Sequence, residues 1–409
     1  MSERSAFPLT ILKPPPQPFV AAAVIVHVGW RHEPPALAGI SHYLEHVHYL
    51  GSRRYPDPDA VTARYGVEIG GPTLAETTTF GFVSLREDFF AVLPVLLDMV
   101  FHPRFDPKAV AQERQHADAG VSPSDYTPWE WVEVKADDLL FGTETLESLG
   151  TPRSMAAITL DDLKTWQRRY YHWGNSHLVV AGEVDAAALQ DAILAAAGPS
   201  QGERPQVVRR THQQRWYYEQ RPNVGNPELF VGFRFPAQED LVPYHLLSIL
   251  LGNYAASPAF RSLRRDAPVA YMHASSLRVL STEGRFGLYV GMAQAGKETP
   301  TWERVVSVLQ TMKRRPVSEE TLAWAKRVFR INLLRRAAMP MQAIRFRRAW
   351  GQWGRPFRGW QALEGDAARV TAEDLQRLAA SLFSQEQAFL AMVGPSPAPD
   401  LAAWLAMLD

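Results

Sequence analysis

Cysteine is absent from all 409 residues of this chain. That excludes disulfides, cysteine-based metal sites and thiol nucleophiles, so any metal must be held by histidine and carboxylate side chains. Charge of one sign is also lacking, since 43 basic side chains balance 43 acidic ones. A chain without a basic surplus lacks the electrostatic footprint of a nucleic-acid binder, and no nucleic-acid partner is expected. No apolar run approaches the length of about 18 residues that a membrane span requires, so no membrane segment is expected. Met1 to Lys13 show no apolar stretch followed by a small-residue cleavage site. The expectation is therefore no signal peptide and a cytoplasmic protein.

What is present is enough apolar material for two cores, 46% of the chain, in a length that one core seldom serves. Phe19 to Gly29 is a short Val- and Ala-rich run and reads as a buried strand. Ala36 to Leu50 has helical spacing, and Phe80 to Leu85 reads as a second strand. Asp88 to Phe101 and Pro107 to Gly120 read as helices stopped by Pro103 and by Gly120 with Pro123. Thr159 opens a helix through Tyr171, with Asp161 and Asp162 in its first turn, and His177 to Gly182 is a strand. The polar, turn-rich stretch 201–215 reads as a linker between a domain spanning 1–200 and one spanning 216–409.

The second half echoes the first. Leu229 to Phe235 reads as a strand and Tyr244 to Leu251 as part of a helix. Val370 to Ser384 (VTAEDLQRLAASLFS) resembles ITLDDLKTWQRRYY, and Ala388 to Pro395 resembles HLVVAGEV. A repeat of roughly 200 residues is far too long for a solenoid. It predicts two similar α+β domains, each an antiparallel sheet packed with helices.

The segment GISHYLEHVHYLG carries His42, Glu45 and His46 in the pattern H-x-x-E-H. On a helix, positions four apart share a face, so His42 and His46 can bind one metal ion. Glu45 stands beside that face, where it can take a proton from an attacking water. This order inverts the commoner H-E-x-x-H arrangement.

Segments along nearly the whole chain extend the pattern. They are Gly39 to His46, the paired Gly70-Gly71, FGFVSL, HPRF, Glu113-Arg114, Gly150 to Ser154, Asp161-Asp162, Tyr170-Tyr171 and Val180 to Gly182. In this order and spacing they resemble the pitrilysin and mitochondrial-processing-peptidase family of inverzincin zinc metallopeptidases. The resemblance continues through SPAFRSLRRDAPVAY, which supplies Arg264 and Tyr271. It implies a zinc cofactor held by His42 and His46, with Glu45 as base and Glu113 assisting near the metal. Arg264 and Tyr271 would hold the substrate backbone and donate to a developing oxyanion. The implied architecture is half of a clamshell peptidase. Its chamber closes around a peptide substrate when a second subunit pairs with it, as a homodimer or as a heterodimer with a related chain.

Two positions depart from the family. Its third zinc ligand is a Glu seven residues beyond Glu113, where this chain has Gly120. His116, one turn before Gly120, is the candidate replacement, and a set of three histidine ligands is chemically sensible. Asp118 and Asp125 are weaker substitutes. The alternative is that His116 is an ordinary surface residue and the site lacks a third ligand. The family also places Asn-Ala after the paired glycines, on an edge strand that pairs with substrate; here Leu74 and Ala75 stand there. The resulting expectation is a metallopeptidase-family subunit that cleaves or binds peptides. The alternative is an inactive partner or assembly subunit that lends Arg264 and Tyr271 to a complete zinc-bearing chain.

Overall fold

The computed structural model describes residues 7–117, 126–142, 150–196, 198–208, 214–237, 240–252, 254–350 and 357–409. In chain order the first elements are β1 (Leu9–Leu12), β2 (Phe19–Val26), α1 (Ile40–Tyr49), α2 (Pro58–Arg64), β3 (Thr78–Leu85), α3 (Phe89–Phe101) and α4 (Pro107–Ala117). Next come α5 (Pro128–Phe141), α6 (Pro152–Ala157), α7 (Leu160–Tyr170), β4 (Ser176–Ala181) and α8 (Ala186–Ala196). Then follow β5 (Trp216–Gln220), β6 (Glu228–Pro236), α9 (Leu241–Leu251) and α10 (Pro258–Phe260), which runs into a π-helical turn Arg261–Asp266. The remainder is β7 (Ala270–Val279), β8 (Glu283–Met292), α11 (Glu298–Arg314), α12 (Glu319–Ala338), α13 (Pro340–Trp350), α14 (Trp360–Arg369), α15 (Ala372–Leu382), β9 (Ala388–Gly394) and α16 (Leu401–Ala406).

The strands form two sheets, ordered β1-β4-β2-β3 and β5-β9-β6-β8-β7. Pairing is antiparallel as expected, except that each sheet carries a parallel strand at one edge, β1 on β4 and β5 on β9. These edge strands escape the sequence pattern, because LTIL and WYYEQ are too short to stand out by periodicity. The echoed segments fold alike. Thr159 caps α7 and Thr371 caps α15, and in both the threonine hydroxyl accepts the N–H of an aspartate three residues on, while that carboxylate accepts the threonine N–H.

The compact units are not two contiguous spans. One comprises 1–121, 146–209 and 335–351, and the other 122–145, 210–334 and 352–409. Each half of the chain thus lends one helix-bearing segment to the other unit. In the first unit, alternate residues of β2 (Val20, Ala22, Val24, Val26) join Phe80 and Phe82 of β3 in a core with α1 and α3 residues. The other face of β2, lined by the buried Ala21, Ala23 and Ile25, is where α13 packs. In the second unit α5 packs on β6 and β9. Arg285, buried on β8, forms ion pairs with Glu133 (2.7 Å) and Asp137 (3.0 Å) of α5.

Candidate metal centre

The helix carrying the histidines begins later than its spacing suggests. Pro35–Leu37 forms a 3₁₀ turn, and Gly39, at φ 90°, turns the chain into α1. The left-handed backbone at that position favours glycine. The buried Glu33 carboxylate then accepts the N–H groups of Gly39 (2.7 Å) and Ser41 (2.8 Å), satisfying donors that no intrahelical carbonyl reaches. Tyr43, Leu44 and Val47 of α1 are fully buried in the core. The Tyr43 hydroxyl donates to the Val110 carbonyl of α4 at 2.6 Å, fixing the two helices side by side.

This places Glu113 of α4 against His46, with Oε1 2.8 Å from Nδ1. A carboxylate at Nδ1 selects the Nδ1–H tautomer and leaves the Nε2 lone pair available. That Nε2 lies 3.2 Å from Nε2 of His42, the rings meeting edge to face. Two nitrogens each about 2.0–2.1 Å from a tetrahedral metal ion are separated by about 3.3 Å, so the pair fits two ligand positions of a zinc site. Among the described residues no group of three His, Asp or Glu donors converges. His116 belongs to α4, but its side chain lies outside what the structure describes, and so do Gly120, Asp118 and Asp125.

Glu45 is 8% exposed and points away from the core residues of α1. Its Oε2 accepts the Thr73 hydroxyl at 2.5 Å. Burial pushes the carboxyl above its usual range, opposed by the Thr73 hydrogen bond and by the charge of His46. The neighbouring Tyr49 phenol is held well above its ordinary value by burial and by the Glu45 charge. Sequence reasoning does not single out Thr73 or Tyr49. Thr73 reaches the site through a bridge to Thr78 of β3, a pairing that no local pattern announces.

Leu74 and Ala75 require a correction. They sit in the turn between Thr73 and β3, not on an edge strand. Leu74 N–H donates to Thr77 (2.8 Å), its carbonyl accepts from Trp30 (3.3 Å), and the Ala75 carbonyl accepts from Arg31 (2.8 Å). A buried ion pair, Arg31 to Glu76 at 2.7 Å, locks this junction. The Leu74 N–H and the carbonyls of both residues are thus engaged inside the protein.

The other two residues lie in the second unit. Arg264, in the π-helical turn, is exposed and packs over the Phe260 ring at 5.5 Å. Tyr271 of β7 is 43% exposed, and its hydroxyl donates to Glu228 Oε1 at 2.7 Å. Tyr289 donates to the other oxygen of Glu228. Glu228 also escapes sequence reasoning, since its register opposite Gly291 exists only in the folded sheet.

The family description "Insulinase (Peptidase family M16)" matches residues 10–147, and "Peptidase M16 inactive domain" matches 157–329. The chain belongs to the M16 peptidase family. It is 25% identical to the "Uncharacterized zinc protease YmxG" of Bacillus subtilis, over 77% of this chain and 78% of that one. Its fold is similar to that of a protease from Helicobacter pylori (TM-score 0.82, 17% identity, 95% of this chain and 96% of that one). It is also similar to the first half of the periplasmic protease PqqL of Escherichia coli (TM-score 0.78, 16% identity, 98% and 93%), and it spans 48% of the whole of that protein.

Proposed function

We propose that this chain is one subunit of a zinc metallopeptidase, acting on peptides in a chamber that a second subunit closes, either a copy of itself or a related chain. The observation that carries this reading is the 3.2 Å approach of the two Nε2 atoms of His42 and His46, with Glu113 behind one of them. His42 and His46 are the proposed ligands and His116 the third. Zinc supplies a Lewis acid for the scissile carbonyl and acidity for water at neutral pH.

Glu45 is the proposed base. It accepts the proton of the attacking water and returns it to the leaving amine, so hydrolysis balances with one water consumed. Thr73 holds the carboxylate through Oε2. Arg264 and Tyr271 are the proposed oxyanion donors. The similarity to one half of PqqL supports pairing with a second half.

The test is zinc content by elemental analysis on protein purified without chelator, wild type beside His116→Ala. About one zinc per chain in wild type, lost in the variant, is the expected result for a three-ligand site. No zinc in wild type overturns the reading that this subunit carries the metal.

A second reading rests on Gly120, a residue without a side chain where the family's ligand stands. In it the chain is an inactive partner or assembly subunit that lends Arg264 and Tyr271 to a zinc-bearing subunit. Activity that appears only on mixing with such a subunit, and that Arg264→Ala abolishes, would favour it.

A further inference from the structure

A groove of about 1050 Å³ lies within the first unit, between α2 with residues 66–72 on one side and α13 on the other, with β3 as its floor. It is separate from the histidine pair and takes no part in the chemistry above. Its strand edge and its charge both bear on what it can hold.

The edge is that of β3. Gly81 exchanges both backbone hydrogen bonds with Gly70, at 2.8 and 3.0 Å, and Thr79 N–H donates to the Pro72 carbonyl. Residues 79 and 81 therefore turn their peptide groups away from β2, and by strand alternation so do Val83 and Leu85. The chain that covers Thr79 and Gly81 departs before Val83. Among the described residues nothing pairs with the outward groups of Val83 or with the Leu85 N–H, while the Leu85 carbonyl accepts the Asp88 N–H at 3.2 Å; the two side chains are 40% and 41% exposed. An unpaired strand edge is a template for an added strand.

The charge lies on the opposite wall. Met341, Ile344, Arg345 and Arg348 recur at helical spacing and line the groove from α13. Arg348 is half-buried, and its Nη1 donates to the Thr79 hydroxyl at 3.0 Å, a neutral acceptor. Among the described residues no carboxylate pairs with Arg348 or with Arg345. Burial and the charge of Arg345 both lower the Arg348 pKa, as they must where no anion offsets them. The carboxylates of the groove, Asp59 and Glu68, sit exposed on its other side. Two neighbouring guanidinium groups beside an open strand edge match a carboxylate carried on an extended chain.

We propose that this groove is a peptide-docking site in which an extended segment adds to the β3 edge at Val83, with the Leu85 N–H beside it, and places an Asp or Glu side chain against Arg345 and Arg348. The proposal rests on the peptidase reading for the nature of the partner, and it names an acidic residue, held away from the scissile bond, as a feature of the peptides this subunit takes. Backbone pairing supplies the affinity and the arginine pair the selectivity.

The experiment keeps this separate from catalysis. Binding is read on the full-length Glu45→Gln protein in the presence of a chelator, with a fluorescein-labelled positional-scanning hexapeptide library that omits proline. Enrichment of Asp and Glu at one position is expected. Arg345→Glu should weaken the enriched peptide about tenfold or more and restore binding when its acidic residue is replaced by Lys. Val83→Pro, which removes only an outward edge N–H, should weaken acidic and Lys-bearing peptides alike by about fivefold. Arg345 is exposed, so its replacement leaves the fold in place, and circular dichroism checks both variants. No enrichment of acidic residues, or an enrichment unchanged in both variants, overturns the proposal. Loss of zinc or of peptide cleavage leaves this binding result untouched, so the two readings fail separately.

Discussion

Glu113 Oε1 and His46 Nδ1 stand 2.8 Å apart, on two helices 67 residues distant in sequence. The carboxylate fixes the imidazole tautomer and its rotation, which aims Nε2 at His42. A partner of this kind strengthens the ligand without being one. Glu113→Gln should therefore weaken zinc binding by about 10- to 100-fold, measured by chelator competition, with little change in melting temperature. Unchanged affinity would place Glu113 outside the metal site.

Glu45 is the one carboxylate of α1, held by Thr73 and mostly buried. Glu45→Gln keeps the shape and removes the base. Peptide hydrolysis, assayed with the subunit in its active pairing, should fall by about 10²–10⁴-fold while zinc content stays as in wild type. Thr73→Val leaves the carboxylate present but less firmly oriented, so its effect should be smaller than that of Glu45→Gln.

Arg285 is almost fully buried, with Glu133 and Asp137 of α5 as ion-pair partners and Phe230 beneath its guanidinium at 4.5 Å. Removing Arg285 leaves the buried Asp137 with only the half-exposed Arg278 to offset its charge. Arg285→Ala should destabilise the second unit by about 3–5 kcal/mol in urea unfolding. Replacing Arg285 by Met together with Asp137→Asn and Glu133→Gln should recover part of that loss, since no charge is then left buried alone.

His32 is buried beside the Arg31–Glu76 pair, and its Nδ1 accepts the Gly29 N–H at 3.0 Å. Burial, helped by the charge of Arg31, lowers its pKa to about 4. The folded state keeps it neutral, whereas the unfolded chain protonates it near the ordinary value of about 6.5. Between those values the unfolded state holds more protons, so stability is full above about pH 6.5 and is lost as pH falls toward about 4. The slope is about 1.4 kcal/mol per pH unit for one such group. His27, lowered to about 4 by burial and by the charge of Arg347, adds to it in the same direction. Urea midpoints measured from pH 7.5 to 5 should show this fall. His32→Asn, whose amide oxygen can take over the Gly29 N–H and does not titrate, should make the slope shallower by one group's share, with His27 and the buried His48 still contributing.

Most of the first unit was legible because its signals are local. The alternating faces of β2, the threonine cap of α7 and the histidines four apart on α1 all depend on neighbours within a few residues, as does the matching cap of α15 in the second unit. The Gly39 turn moves the start of α1 by four residues from the expected Ala36 without disturbing the histidine face, since helical phase does not depend on where the first turn begins. Leu74 and Ala75 differ from expectation for the opposite reason. Their backbone groups are claimed by Trp30 and Arg31, residues more than 40 positions earlier, and no local pattern encodes such a claim.

The sequence by itself determined the two-sheet α+β plan, the absence of thiol chemistry, the H-x-x-E-H helix and the family to which the chain belongs. Periodicity, capping and motif spacing are written in consecutive residues, and those are what a sequence displays. Only the tertiary structure decided that Glu113 orients His46, that Thr73 holds Glu45, and that Glu228 takes the Tyr271 hydroxyl. It also decided that α5 and α13 each pack on the sheet of the other half of the chain, leaving Arg345 and Arg348 beside an open strand edge. These relationships join residues far apart in the chain, and they exist because burying apolar faces forces particular elements together. Which polar groups then meet is a consequence of that packing.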